Sequence, residues 1–424
     1  MQGSVLVLGA GMVGVACALE LQRKGLQVTL VDAREPGSET SHGNAGVLTR
    51  SSIVPFNNPA LWGALPGLLS NQSASLRYDP GYLMRNIGWV TRFLLAARPG
   101  TFERTVAALD QLIRLSLHEH ERLLAESGQL ARLRSDGWMF LYRQAPRTPA
   151  MRLQVEMYRR CAVEVEELDP AAIRALEPAL RPIFARGLLI RSAHSVDDPG
   201  AVVRGYAELF ARRGGRQLRR KAVGIERQAQ GWTTHFEDGG SEQAGQVVIA
   251  LGPWSAAFLR GAGLRIPMAF ERGYHMHYAG AADGAPALRR PIHDAQAGYV
   301  LSPMRRGLRL STGVELNALD APPRHAQLEG AQQAAAQALE LGRRLDESPW
   351  KGARPTLPDS RPMIGELPRR GLWAAFGHQH IGFSTGPGTA SVLGALMAGE
   401  PAPIDPAPFA PQRFQGLGPA GSRS

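Results

Sequence analysis

Cysteine is almost missing from this chain: 2 residues in 424, Cys17 and Cys161. Neither belongs to a Cys-x-x-Cys, and no histidine–cysteine cluster has metal-ligand spacing, so a disulfide framework, a dithiol redox site and a metal centre are not expected. Cys17 falls within a helical pattern and reads as a small buried apolar residue. Lysine is nearly as scarce, at Lys24, Lys221 and Lys351, so arginine carries the formal charge of +11. Apart from the Arg212–Lys221 stretch the arginines are dispersed, and no aromatic-interleaved basic stripe points to nucleic acid. No run approaches 18 apolar residues, which excludes a transmembrane helix by sequence. The first apolar run begins at Val5, so no leader is expected, and there are no internal repeats. These absences describe a reduced, cytoplasmic protein. Its basic charge is compatible with peripheral attachment to the inner face of the cytoplasmic membrane, or with an arginine-rich solvated surface.

What is present is concentrated in the first thirty-odd residues. Val5–Leu8 is an uninterrupted apolar run, as in a parallel strand buried on both faces. It runs into Gly9-Ala10-Gly11-Met12-Val13-Gly14, a full G-x-G-x-x-G, and then into a helical pattern (Val15, Ala18, Leu19, Leu21) that should stop at Gly25. A second apolar run, Val28–Val31, ends in Asp32. Gly9 allows the tight turn, Gly11 lets backbone approach a pyrophosphate, and Gly14 lets helix and strand pack closely. The helix N-terminus offers free N–H groups to phosphates, and Asp32 is placed to accept from a ribose diol. Strand, glycines, helix, second strand and terminal acid together predict a dinucleotide site.

At roughly 150 residues per domain, the chain holds two or three domains. After Asp32 comes a small-residue loop, Glu35–Gly46, of the kind that closes over a ligand. Residues 53–90 read as irregular structure with short helices. Helices are expected over Thr101–Glu126, Met151–Cys161, Val202–Arg213 (with Asp197 or Asp198 as N-cap and Pro199 in the first position) and Gln327–Leu345. Strands are expected over 137–142, 222–227, 232–236, 246–251, 270–278, 298–303, 308–314 and 373–377. Parallel-sheet pieces at both ends and in the middle, with an antiparallel block between them, predict two interleaved domains rather than two sequential ones.

Two later glycine-rich stations bear on the ligand. Val247–Leu251 is a buried apolar run ending in Gly252-Pro253-Trp254-Ser255. Gly377–Ala390, which contains Gly382, Ser384 and Thr385, leads into an apolar helix. A nicotinamide enzyme needs only one such turn. A long cofactor held at adenine, pyrophosphate and isoalloxazine accounts for three, and N–H groups opening the last helix would face the electron-rich edge of a flavin.

At this point the chain resembles the FAD-dependent D-amino-acid oxidase family, which includes glycine oxidase, sarcosine oxidase and bacterial D-amino-acid dehydrogenase, and most of all the dehydrogenase branch. The resemblance runs from about residue 3 to residue 400 through GAGMVG, TSHGNAGVL, SVDDPGAVV, ALGPWS, ERGYH, GARPTLPDSRPMIG and GHQHIGFSTGPGTA. It implies FAD held by Gly9, Gly11, Gly14 and Asp32, with Ser41, His42, Asn44, Ala45 and Gly46 along the pyrophosphate and flavin. It also implies that Val223 offers its backbone to the adenine and that Gly252, Gly382, Ser384 and Thr385 lie near the cofactor. In some relatives a histidine in a context like that of His42 carries FAD covalently; a noncovalent loop histidine is the other reading.

The same resemblance places Arg354 as the substrate carboxylate anchor, and a guanidinium suits a carboxylate because two parallel hydrogen bonds fix both position and rotation. Arg361 is less suited because Pro362 follows it in a turn. Tyr274, His275 and Tyr299 are candidate substrate contacts on neighbouring strands, and His380 a flavin-edge or gating residue. The implied fold is α/β plus α+β. A Rossmann-type FAD-binding domain (1–88, 188–262, 345–412) is interleaved with an antiparallel-sheet substrate domain (89–187, 263–344), followed by a tail at 413–424. The implied reaction is oxidation of a small D-amino or imino acid, D-proline or D-hydroxyproline among them, by hydride transfer from the α-carbon to flavin N5. The acceptor is a quinone, an electron-transfer partner or oxygen. An N-methyl amino acid oxidase of the sarcosine type and a noncatalytic FAD-binding subunit are the alternatives.

Overall fold

A computed structural model describes residues 3–281, 288–414 and 416–417. The first strand, Ser4–Leu8, lies between Gln27–Asp32 and Gln246–Ile249, parallel to both, and Val7 and Leu8 are fully buried. Gly9 turns the chain with φ +109°, and its N–H donates to the Val31 carbonyl at 2.8 Å. A Cβ built on Gly9 would stand 2.3 Å from the Ala250 carbonyl oxygen, and one on Gly14 would stand 1.8 Å from the Gly9 carbonyl oxygen. Both positions are therefore closed to any side chain, so the helix Met12–Arg23 can seat directly against the strand turn.

The completed sheet has six strands in the order Arg216–Arg219, Gln27–Asp32, Ser4–Leu8, Gln246–Ile249, Leu372–Phe376, Met363–Glu366. All neighbours are parallel except the last pair. Met12–Arg23 covers one face with Val15, Cys17, Ala18 and Leu21, packed against the helices Pro199–Arg212 and Gly382–Ala398. Cys17 is fully buried, as expected. The helix Pro199–Arg212 opens as the sequence predicts, with Asp198 Oδ1 accepting from the Ala201 N–H at 2.9 Å and Pro199 in the first position.

The second large sheet has ten strands and draws on distant parts of the chain. Its central strand, Ala269–Tyr278, pairs with Gly307–Thr312, Val314–Leu316 and Trp350–Thr356. Beyond Gly307–Thr312 follow Tyr299–Met304, Ile292–Asp294, Trp138–Tyr142, Arg186–Ile190 and Glu166–Leu168. The sheet is mixed rather than purely antiparallel: Ile292–Asp294 runs parallel to Trp138–Tyr142, and Val314–Leu316 parallel to Leu76–Tyr78.

The helix Pro99–Glu126, about 42 Å long at 1.5 Å per residue, ties the two sheets together. Its Ser116 Oγ accepts from the Gly388 N–H at 2.9 Å, and its His120 bridges the Phe383 carbonyl (2.7 Å) and Tyr206 Oη (3.2 Å). Burial pushes the His120 pKa down to about 4, so this bridging imidazole is neutral: Nε2 donates its one ring proton to the Phe383 carbonyl and Nδ1 accepts from Tyr206 Oη.

The structure departs from the sequence reading at several elements, two of them paired to the central strand Ala269–Tyr278. The helix expected over Gln327–Leu345 ends at Ala338, because the following residues pair with the end of the central strand instead. Gly280 N–H donates to Leu341, Ala279 N–H to Arg343, and Leu345 N–H to His277. Trp350–Thr356, a stretch with two β-breakers, is a full strand held by its neighbour at 269–278. Residues 413–424, read as a tail, lie largely outside the described residues.

The Gly14 contact yields a stability test. Gly14→Ala should lower the melting temperature of the cofactor-free protein strongly, by the ~1–3 kcal/mol or more expected of overpacking onto backbone that cannot retreat. Gly67→Ala, where a new Cβ meets nothing within 4 Å on a helix, should leave it unchanged or raise it slightly. Equal effects would show that the contact at Gly14 is not the constraint described.

Candidate active site

A cavity of about 1170 Å³ runs between the two large sheets. Drug-sized ligand pockets fall around 300–1,000 Å³, so this one has room for a larger ligand and a second, smaller one. One end is lined by Gly9, Gly11, Asp32, Val223 and Gly252, the middle by Ser41, Gly43, Asn44 and Ala45, and the other end by Gly273, His293, Val300, Arg354, His380 and Gly382.

At the first end Asp32 Oδ2 accepts from the Ala10 N–H at 2.6 Å and Oδ1 from the Arg34 N–H at 2.9 Å, which fixes its carboxylate on the cavity wall. Val223 is the extra residue of a β-bulge: Ala222 pairs with Phe236 and Gly224 with His235, leaving Val223 outside the ladder. A bulged residue keeps its backbone groups free for a ligand. In the middle, Ser41 Oγ accepts from the Met12 N–H at 3.0 Å, Asn44 Oδ1 accepts from the Gly46 N–H at 2.8 Å, and Thr40 Oγ1 donates to the Ala353 carbonyl at 2.9 Å. Gly14, Gly46 and Thr385 do not line the cavity. Gly14 and Gly46 serve close backbone approaches, and Thr385 Oγ1 turns back to the Ile381 carbonyl at 2.9 Å. His42 also stays out of the lining; its ring lies 5.9 Å from that of His275 and 6.2 Å from that of Trp350. The first turn of the helix Gly382–Ala398 presents Gly382, Phe383 and Ser384 to the cavity.

The far end is organised by side-chain alternation on the strand Ala269–Tyr278. Glu271, Gly273, His275 and His277 share one face; Arg272, Tyr274, Met276 and Tyr278 share the other. Gly273 reaches the cavity, and Arg354 lies over it: a Cβ on Gly273 would stand 2.7 Å from Arg354 Nη2. Arg354 has only one weak bond, Nη1 to the Gly313 carbonyl at 3.4 Å, and among the described residues it makes no ion pair. Glu271 faces it across the strands in register, buried, with Oε2 unpartnered. Burial pushes the Glu271 carboxyl up, against the pull of Arg354. Burial likewise lowers the Arg354 guanidinium, which Glu271 opposes.

His380 lies near both Arg354 and His293. The His380 ring opens on the cavity, and burial, then Arg354 and His293, push its pKa down to about 4. His293, which carried no motif in the sequence, stacks on Trp138 (6.2 Å, 9°) and meets the edge of Phe140; burial holds it at about 4 as well. Both are neutral at pH 7 and available as hydrogen-bonding groups. The only permanent charge among the lining residues at this end is Arg354.

Three of the anticipated substrate contacts are not there. Tyr274 is on the opposite strand face, where its hydroxyl donates to Glu315 Oε2 and accepts from Arg272 Nη2, both at 2.7 Å. Tyr299 points into the same core, while its neighbour Val300 lines the cavity. His275 is on the correct face but sits beneath the 42–44 loop, stacked on Trp350 at 4.7 Å. Arg361 is committed to Asp359, 2.9 Å away.

The profile of the DAO family, FAD dependent oxidoreductase, matches residues 4–396. A D-amino-acid oxidase of Bradyrhizobium diazoefficiens is 30% identical over 418 residues, covering 97% of this chain and 98% of its own. A D-amino acid dehydrogenase 2 of Ralstonia nicotianae is 30% identical over 434 residues, covering 96% and 99%. Among solved structures, L-proline dehydrogenase from P. horikoshii superposes with a TM-score of 0.74 at 17% identity, covering 98% of this chain and 99% of its own. Glycine oxidase from Geobacillus kaustophilus gives 0.71 at 21%, covering 97% and 99%. These two share the mixed α/β fold with its several sheets. By sequence and by fold the chain belongs to the DAO family of FAD-dependent oxidoreductases, and its cofactor is FAD.

Proposed function

We propose that the protein oxidises the Cα–N bond of a small D-amino or imino acid, with D-proline-like imino acids among its substrates. The observation that carries this reading is Arg354: a cavity-facing guanidinium with no carboxylate within ion-pair distance among the described residues, at the end of the cavity opposite the glycine turn. An unpaired buried cation is costly unless a ligand completes it, and a carboxylate completes a guanidinium with two hydrogen bonds. FAD supplies a two-electron acceptor for the hydride that leaves the substrate α-carbon. Arg354 binds and orients the substrate carboxylate, the neutral His380 and His293 hydrogen-bond without adding charge, and Trp138 and Phe140 exclude water from the side chain. The neutral substrate amine provides the electron pair that becomes the C=N bond; water then hydrolyses the imine of a primary amino acid to a keto acid and ammonia, whereas the cyclic imine of a proline-like substrate can only ring-open to an amino keto acid and releases no ammonia.

The same reading assigns FAD to the long cavity. Gly9, Gly11 and the start of Met12–Arg23 would take the pyrophosphate, Asp32 the ribose, the bulged Val223 the adenine, and the first turn of Gly382–Ala398 the flavin. The six-stranded sheet is then a Rossmann-type FAD-binding domain (1–88, 188–262, 345–412) interleaved with a substrate domain (89–187, 263–344). Because Leu76–Tyr78, Arg186–Ile190 and Trp350–Thr356 pair within the larger sheet, the boundaries near 88, 188 and 345 are drawn before Leu76, after Ile190 and after Thr356. The position of the His42 ring outside the lining favours noncovalent FAD, so acid precipitation should leave the flavin in the supernatant.

For the acceptor we propose a membrane quinone reached by peripheral attachment. Among the described residues no helix is long and apolar enough to cross a membrane. The helix Ala60–Leu69 has no charged residue, lines the cavity with Ala60, Leu61, Ala64 and Leu68, and exposes Trp62 (44%) and Leu69 (77%) outward. Residues 51–100 around it hold four arginines against one aspartate. An apolar helix among cations suits an anionic lipid surface.

Anaerobic mixing with D- and L-amino acids tests the chemistry. D-proline and other small D-amino acids should bleach the flavin. Arg354→Ala should raise the half-saturating substrate concentration about a hundredfold, and Gly273→Ala, which displaces the guanidinium, about tenfold. A flavin bleached equally by the Arg354→Ala variant sinks the assignment of the anchor. Sedimentation with vesicles tests attachment: the protein should pellet with anionic but not neutral vesicles, and Trp62→Glu with Leu69→Glu should abolish pelleting. Equal pelleting by the double variant would remove this helix from the proposal.

A further inference from the structure

We propose that Arg309 is a positioning residue for the cofactor, holding the 42–44 loop in the shape that lines the middle of the cavity. Arg309 lies in the strand Gly307–Thr312 and is 3% exposed. Its Nη1 donates to two loop carbonyls, His42 at 2.7 Å and Asn44 at 2.5 Å. Its Nε donates to His277 Nε2 at 3.1 Å, and His277 faces it in register across the strands. That bond makes His277 Nε2 an acceptor, which places the ring proton on Nδ1, where it is donated to Asp346 Oδ2 at 2.7 Å. Asp346 Oδ1 is held in turn by Arg306 at 3.0 Å. The line Asp346–His277–Arg309 therefore ends on the loop whose Gly43 and Asn44 form the cavity wall.

Packing alone does not call for this arrangement. Among the described residues Arg309 has no carboxylate within ion-pair distance, and burial lowers its pKa to about 10. A buried cation paired only with carbonyls and a neutral imidazole is less stable than an apolar side chain of similar size. Its effect is to turn the His42 and Asn44 carbonyls away from the cavity, and carbonyl oxygens are the groups that would repel an anionic ligand there. His275, on the same strand face, lies against this loop, its ring 5.9 Å from that of His42. Trp350 closes the alternative path: a Cβ on Gly43 would stand 1.9 Å from its ring. The inference rests on the assignment of FAD to this cavity.

The test is FAD binding to the stripped full-length protein, followed by flavin fluorescence, with melting temperature and the visible spectrum recorded in parallel. Arg309→Met should weaken FAD binding about ten- to a hundredfold, the range for lost hydrogen bonds to a charged group, and shift the flavin absorption bands. Arg309→Lys should restore part of the affinity. His277→Gln, which keeps the cation, should weaken binding severalfold while leaving the melting temperature of the stripped protein unchanged. Parent-like affinity and spectrum in both Arg309→Met and His277→Gln would overturn the proposal. If Arg309→Met fails to fold, His277→Gln decides alone: weakened FAD binding supports the proposal and parent-like binding overturns it. A parent protein that takes up no FAD would instead overturn the cavity assignment beneath it.

Discussion

The structure depends on one contact between backbones. The Gly9 carbonyl lies where a side chain on Gly14 would begin, and the Ala250 carbonyl where one on Gly9 would begin. This double closeness brings the first strand, the first helix and the Gln246–Ile249 strand into one corner. Because Met12–Arg23 is seated by that corner, so is Gly382–Ala398, which packs on it, and then Pro99–Glu126, which is bonded to Gly382–Ala398 through Ser116 and His120. The wall of the cavity is thus specified from a turn that contributes almost no side-chain chemistry of its own.

The cavity has an uneven distribution of charge. At the glycine-turn end, Asp32, Arg34, Glu39, Arg220 and Lys221 mix both signs. At the far end Arg354 stands alone among neutral imidazoles and aromatic rings. Burial keeps His293 and His380 uncharged down to about pH 4, so the cation there is not reinforced by histidine protonation near neutrality. A single anchor with uncharged surroundings fixes the orientation of one anionic group and leaves the rest of a ligand to be selected by shape.

The residues legible in the sequence were those whose identity is forced by backbone geometry. Gly9 and Gly14 admit no substitute, and the Asp198–Pro199 helix start follows from local capping. The errors came where a tertiary partner decides. The helix expected to reach Leu345 stops at Ala338 because the strand end at 277–280 offers its hydrogen bonds to the following residues. Tyr274 and Tyr299 are phase errors of a single residue: in each strand the neighbour, Gly273 or Val300, faces the cavity. Strand phase is fixed by which face meets the core, and in Glu271-Arg272-Gly273-Tyr274-His275 neither alternate set is apolar enough to reveal it. Gly273 held the signal, since a glycine inside a strand often marks a close approach; here it makes room for Arg354. His293 gave none, because a lone histidine in a three-residue strand has no pattern to belong to.

That same strand face also links the middle of the cavity to its far end. Along Ala269–Tyr278, Glu271 stands opposite Arg354, Gly273 gives the guanidinium its space, His275 lies under Gly43, and His277 holds Arg309 against His42 and Asn44. From Gly273 to His277 an extended strand advances about 14 Å, and a paired central strand does not change length. The strand thus fixes the spacing between Gly273 and His277, and the Arg354 and Arg309 side chains place the guanidinium and the 42–44 loop upon it. A shift in register of this strand would move both contacts together, whereas a substitution at Gly273 or at Arg309 would move one of them alone.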